Sequence, residues 1–360
     1  MSGWWQRFKP GQRWTFAQFM ELALYHPEFG YYNQRKDHYP AGLRGDFLTA
    51  PTAHGTFAAT LAGLLRTLAQ ERGRPLTLVE VGAGDGTLLR QLVAADGWVA
   101  VERVVAVEVS ARGRELLEAL APPVEVVTHW REAPPPSGPC VVFASELYDA
   151  LPFHVVQGGR AGLEELFVVV DPGGRLRWQA GPPSTAELER YLKRYQVQLE
   201  TGQRAEVRLQ AYEFHRHLLA WAGGDVLVLV VDYGYPAQSL YNPRGRRHGS
   251  LAGYLGHRVV DPLAYPGEAD ITAHVNWDDL LRAGASLGFA SGTVEPLGLF
   301  LARWGLVEQS TRGHEEEAGI PWQVRALLHP AGMGSDLKLL TQGKGELWQC
   351  WQEAEAKRRP

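Results

Sequence analysis

The sequence predicts an α/β protein: a Rossmann-like, mostly parallel sheet with an added lobe built from insertions. Three observations predict it. Short apolar runs at 76–81, 104–109, 140–144 and 226–231 read as strands buried on both faces. Helical patterns alternate with these runs, which is the order of a parallel sheet covered by helices. The first run ends in glycines at positions 82, 84 and 86, and a stripe of Leu88, Leu89, Leu92 and Val93 follows at helical spacing. Strand, tight glycine turn and helix together make the ligand-binding corner of such sheets.

Each element has its own signal. Residues 1–50 form an aromatic-rich segment in which Phe16 to Tyr25 has helical spacing. Thr15 is placed to cap that helix, and Pro27 and Gly30 stop it. Residues 40–46 read as a loop. Residues 52–72 read as one helix, with Phe57, Leu61, Leu64, Leu65 and Leu68 on one face. Ser110 caps a helix carrying Leu116, Leu117 and Leu120. A short strand follows at 124–127, and three prolines at 134–136 mark a loop. Residues 51–154 and 221–360 are read as the core. Residues 155–220 are read as an inserted lobe on the substrate side, with 240–275 contributing. That insertion holds a strand at 166–170, a polar helix at 185–199 and a loop-rich stretch at 249–274.

Composition narrows the function classes. The chain has 360 residues, 45% of them hydrophobic and 21% charged, with a net charge of −4. This is ordinary globular material, without the basic coat of a non-specific nucleic-acid binder. Arg244, Arg246, Arg247 and His248 form a local basic cluster, which reads as a solvated loop or as a contact for an acidic partner. The two cysteines, Cys140 and Cys350, are not spaced as a metal pair. Residues 1–10 carry no apolar signal region, and no run of 18 apolar residues exists. The expectation is a cytoplasmic protein with no membrane, nucleic-acid or metal partner.

Four acids, Glu80, Glu108, Glu146 and Asp232, fall at or beside strand ends. Ligands of open parallel sheets sit there. Glu80 precedes the turn in the pattern E-x-G-x-G-x-G, and Thr87 stands where a dinucleotide fingerprint needs its last glycine. Glu108, 26 residues past Gly82, ends the second strand, where a carboxylate accepts ribose hydroxyls or simply faces water. Trp130 suits stacking on an adenine or filling the core. Glu146 and Asp149, with Tyr148 and His154 nearby, read as an acidic cup or as the acidic start of a helix. Taken alone, 45–49 reads as a loop and 270–274 as an element boundary.

The segments YHPEFGYY (25–32), GDFLTAP (45–51), VEVGAGDGTL (79–88), SELYDALP (145–152), DYGY (232–235) and PGEADITAHV (266–275) occur in this order. The set resembles the MidA family of S-adenosylmethionine (SAM)-dependent methyltransferases. The mitochondrial members of that family assist respiratory complex I assembly and form symmetric dimethylarginine on protein. The resemblance implies a class I SAM-dependent methyltransferase fold, SAM as cofactor and a protein arginine as acceptor. It implies that Gly45, Asp46 and Thr49 close over the cofactor. Glu80, Gly82, Gly84 and Gly86 would hold its methionine end, and Glu108 its ribose, with Trp130 and Ser145 also at the cofactor. Glu146 and Asp149 would orient the acceptor, and His154 would assist proton removal. The family usually carries asparagine where Ser145 stands, and often glutamine at the place of Glu295-Pro296. A SAM-sensing assembly chaperone and a small-molecule N- or O-methyltransferase are the other readings, and a homodimer is compatible with all three.

Overall fold

The computed structural model describes residues 8–34, 46, 49–307, 321–329 and 332–358. The chain divides into two compact units. One takes the described residues within Met1–Asp37, Tyr148–Phe214 and Gly234–Leu280. The other takes those within His38–Leu147, His215–Tyr233 and Leu281–Pro360.

The second is a parallel-sheet unit. Its strands are β1 (Leu76–Val81), β2 (Val101–Val107), β3 (Glu125–Val127), β4 (Cys140–Ser145), β5 (Val226–Tyr235), β6 (Ala290–Pro296) and β7 (Leu337–Lys344). Their spatial order is β3-β2-β1-β4-β5-β7-β6. The pairs from β3 to β5 are parallel, and β7 runs antiparallel to both its neighbours. Every residue of β1 is buried, as expected for a central strand covered on both faces. The helices α1 (Ala50–Ala53), α2 (Thr56–Arg72), α3 (Thr87–Ala94) and α4 (Ala111–Glu118) belong to this unit. Leu64, Leu65, Leu78, Phe143, Leu229 and Leu339 meet in one continuous core. Tryptophans fill it too: the rings of Trp304 and Trp351 stack 5.4 Å apart.

The expected single helix at 52–72 is broken. Thr49 starts α1 early through reciprocal bonds with Thr52, and α1 stops at His54 in extended conformation. The imidazole Nδ1 of His54 then accepts from the amide of Thr56, where α2 begins. The apolar stripe from Phe57 to Leu68 lies wholly within α2, so it does not report such a restart. Ser110 does cap α4, its hydroxyl accepting from Gly113 N at 3.1 Å.

The other unit is mainly antiparallel. Strand Leu163–Val170 is central, between Arg13–Thr15, His154–Gly158 and Leu176–Gly181, and Arg204–Val207 extends the sheet beyond His154–Gly158. Helix Phe16–Tyr25 carries the expected Thr15 cap, here a full capping box with Gln18. The polar helix is shorter than expected, Glu187–Arg194, because Gln196 turns to a φ of +55° just beyond it. The stretch expected to be loop-rich holds a three-stranded sheet of Ala252–Leu255, Arg258–Val260 and Asp270–Thr272. Its strands are only three or four residues long, so alternation is too brief to register.

Arg208 ties this unit together. Its buried guanidinium donates to the carbonyls of Tyr148, Asp149, Leu151, Ala273 and His274. Two sequence motifs far apart in the chain are fastened by one side chain, and its fork of N–H donors suits the task. Tyr25 Oη donates to the Ala150 carbonyl at 2.8 Å, and Tyr32 Oη donates to Asp270 Oδ1 at 2.8 Å. No helix among the described residues is long and apolar enough to cross a membrane.

Candidate functional site

Strand register builds the site in the parallel-sheet unit. Val81 pairs with Val107 on one side and Ala144 on the other. One step further along the chain, Gly82 is level with Glu108 and with Ser145. Val231 pairs with Ser145, so Glu146 is level with Asp232. The carboxyl ends of four parallel strands thus place Glu108, Gly82 and Ser145 at one level, and Glu146 and Asp232 one residue further on. Glu80 belongs to β1 just beneath them.

The glycine turn has the conformation its sequence demands. Gly82, Gly84 and Gly86 have φ of +76°, +58° and +76°, a region that side-chain-bearing residues rarely adopt. The amides of Gly82 and Ala83 both donate to the Val107 carbonyl. Gly84 N is then directed to Glu108 Oε2 at 2.8 Å, while Glu108 Oε1 accepts from Ser110 N at 2.8 Å. Glu108 is therefore fixed rather than free to face water. Burial pushes its carboxyl above the usual range, partly offset by those amides and by Arg114.

Glu80 is more exposed to electrostatic stress. Burial, with the nearby Asp85 and Glu108 carboxylates, pushes it well above the ordinary carboxylate range. Its Oε2 is buried with no hydrogen-bond partner among the described residues. The buried Ser145 Oγ likewise has none among them. Orphaned buried acceptors are costly and rare, and mark a place for a missing donor. SAM brings an ammonium group, a sulfonium charge and ribose hydroxyls. These are donors and positive charge, which an acid-lined turn lacks, and the residues present fit the group.

Glu146 stands in a left-handed conformation, φ +50°, just beyond β4. For a residue with a side chain this costs on the order of 1 kcal/mol or more, and such outliers gather at functional sites. Its amide donates to the Val231 carbonyl, and its Oε1 accepts from Ala50 N at 2.9 Å. The segment after it is irregular, so the helix start weighed from sequence is not formed. Thr49 caps α1 and Asp46 is buried, while Gly45 lies outside the described residues. Trp130 is buried beside the ring of His129, centroids 4.0 Å apart.

Asp149 and His154 fold in the antiparallel unit. The Asp149 carbonyl accepts from Arg208 and from Ala273 N. His154 Nδ1 lies 2.7 Å from Glu165 Oε1, a buried carboxylate that also accepts from Ser184 N. Glu165 is held below the usual carboxylate range: burial raises it, and the bonds from His154 and Ser184 outweigh that.

Gly113 was not singled out from the sequence. A Cβ there would lie 2.6 Å from Ser110 Oγ, 2.7 Å from Glu108 Cγ and 2.7 Å from the Gly84 carbonyl oxygen. It lets α4 press against the glycine turn. Its only sequence signal is a glycine three residues past a helix cap, where helix propensity disfavours it.

Known proteins share this architecture. The crystal structure of a COG1565 superfamily member from Burkholderia thailandensis, bound to S-adenosyl-homocysteine, superposes with a TM-score of 0.79 at 28% identity. It covers 93% of this chain and 88% of its own. The mitochondrial protein arginine methyltransferase NDUFAF7 of Mus musculus is 29% identical over 91% of this chain and 76% of its own length, and that of Homo sapiens is 29% identical over 91% and 75%. The family model described as "putative S-adenosyl-L-methionine-dependent methyltransferase" matches residues 56–293, which hold the glycine turn, Glu80, Glu108 and Glu146. The α/β methyltransferase fold, the acid-lined glycine turn and this match agree, and the chain belongs to that family of SAM-dependent methyltransferases, with SAM as its cofactor.

Proposed function

We propose that this methyltransferase transfers the methyl group to an arginine side chain of a protein substrate. The observation that carries the reading is Glu146, an acid just beyond the strand end, in a chain that is similar over nine-tenths of its length to protein arginine methyltransferases. A carboxylate orients a guanidinium through paired N–H bonds and offsets the charge of the methylated cation.

In this reading Glu80 and the turn of Gly82, Gly84 and Gly86 hold the amino-acid end of the cofactor. Glu108 accepts ribose hydroxyls, and Trp130 and Ser145 line the cofactor's place. Asp46 and Thr49 close over it. SAM, when bound, supplies a methyl already activated on sulfonium. The protein's work is positioning. The acceptor nitrogen forms its bond to the methyl carbon as the sulfur–carbon bond breaks. Because a guanidinium does not lose its proton near neutral pH, the proton leaves with or after the methyl transfer. Asp149 is assigned a share in orienting the acceptor and His154 the released proton.

The test uses the purified protein, SAM labelled in its methyl group and a protein extract as acceptor. Hydrolysed product is analysed for methylated arginine. Label in methylarginine, reduced about 100-fold in kcat by Glu146→Gln with SAM affinity intact, is the expected result. Asp149→Asn and His154→Gln in the same assay test those two assignments. Label confined to small molecules overturns the protein-arginine reading. SAM binding without any transfer points to a SAM-sensing scaffold instead.

A further inference from the structure

The carboxylate of Glu146 does a second thing that the acceptor role does not require. Thr49 and Thr52 satisfy one another at the start of α1: Thr49 N donates to Thr52 Oγ1 at 2.9 Å, and Thr52 N to Thr49 Oγ1 at 3.3 Å. The Ala50 amide, in the first turn, has no carbonyl to reach within its own helix. Glu146 Oε1 takes it, at 2.9 Å, across 96 residues of sequence. α1 in turn lies against α3, the helix that the glycine turn opens. The uncommon φ of Glu146 marks how this side chain leaves the strand end.

We infer that Glu146 is a positioning residue for cofactor binding: its carboxylate latches α1 onto the end of β4, and α1 held in that place braces the helix of the glycine turn. The inference rests on the SAM-methyltransferase reading and gives Glu146 a role separate from orienting the acceptor. The latch needs an acceptor atom rather than a charge. Glutamine therefore retains it and alanine does not.

The other end of the latch can be removed on its own. Ala50→Pro deletes the donor N–H. Proline is well tolerated in the first turn of a helix, and Thr49 already has the extended conformation (φ −106°, ψ 161°) that a following proline requires. SAM affinity of the full chain is measured by titration calorimetry. Expected are a dissociation constant about tenfold weaker for Glu146→Ala and for Ala50→Pro, no further loss in the double variant, and Glu146→Gln within about twofold of the parent. A cofactor-free readout accompanies it: amide hydrogen exchange in peptides spanning 51–57 quickens in Glu146→Ala and Ala50→Pro and stays at the parental rate in Glu146→Gln.

Parental SAM affinity in either Ala50→Pro or Glu146→Ala overturns the latch. So does a Glu146→Gln variant that loses SAM as severely as Glu146→Ala, since the carboxylate would then touch the cofactor directly. If Glu146→Ala fails to fold, Ala50→Pro set against Glu146→Gln decides. Loss of methyl transfer in Glu146→Gln with intact SAM affinity concerns the acceptor role alone, so the two readings fail separately.

Discussion

In the proposed function, Glu80 trades stability for a ligand. Its carboxyl is raised well above the ordinary range, first by burial and then by Asp85 and Glu108. A group whose folded pKa is raised contributes fully below its unfolded pKa and loses that contribution as pH rises through the folded value. At neutral pH an ionised Glu80 therefore strains the fold until a cation or donor arrives. Glu80→Gln should raise the melting temperature at pH 7–8, by ~1–3 kcal/mol of relieved penalty, while weakening SAM affinity at least about tenfold. Differential scanning calorimetry and SAM titration on the same preparation check it. A lower melting temperature with undiminished SAM affinity would sink the idea. The place of this residue, on the strand before the glycine turn, was legible in the sequence because the signal is local: acid, glycines and helix stripe all lie within a few residues. The bond between Glu146 and Ala50 was not legible, because its partners lie 96 residues apart in the chain.

At the scale of elements, the turn of residues 82–86 is only as good as the helix packed on it. α4 approaches closely enough that Gly113 has no room for a methyl group, with the Gly84 oxygen, Glu108 Cγ and Ser110 Oγ all within 2.7 Å of where it would go. Of these, the Gly84 oxygen is backbone and cannot swing aside. Gly113→Ala should gain a few tenths of helix propensity and lose more to overpacking, a net cost of about 1–3 kcal/mol. The prediction is specific in that SAM affinity falls together with stability, because the displaced groups are the glycine turn and Glu108, which the proposed function assigns to the ribose. Urea unfolding and SAM titration test it; destabilisation with SAM affinity untouched would separate α4 from the site. The parallel strands were readable here because buried parallel strands are continuous apolar runs, whereas their spatial order and the antiparallel β6 and β7 were not. The break between α1 and α2, the sheet at 252–272 and the shortened polar helix were not. They depend on cap geometry, on pairing between distant short segments and on one residue at positive φ.

At the scale of the whole molecule, each unit has among its described residues a largely buried imidazole held neutral. His215, in the parallel-sheet unit, is buried against Gln342, its Nε2 2.9 Å from Gln342 Oε1. Burial lowers its pKa to about 4. His274, in the antiparallel unit, packs on Tyr235 and lies beside Arg246 and Arg208; burial first, and then those cations, lower it to about 4 as well. Both folded values lie below the ordinary 6.5, so the unfolded chain binds protons that the folded chain refuses. Stability is then full above pH 6.5 and is lost as pH falls from there toward 4, by up to about 3 kcal/mol for each histidine. A domain's whole margin is only ~5–15 kcal/mol, so the loss should be visible as a falling urea midpoint between pH 7.5 and 5. The raised carboxyls of Glu80 and Glu108 work the other way in the same window, since the folded state binds their protons more tightly than the unfolded chain does. Two groups of opposite sign make the prediction sharp. In the double variant His215→Gln, His274→Gln the midpoint should stop falling on acidification and should rise toward pH 5. A midpoint that falls equally in the parent and in the double variant would place acid sensitivity outside these two histidines.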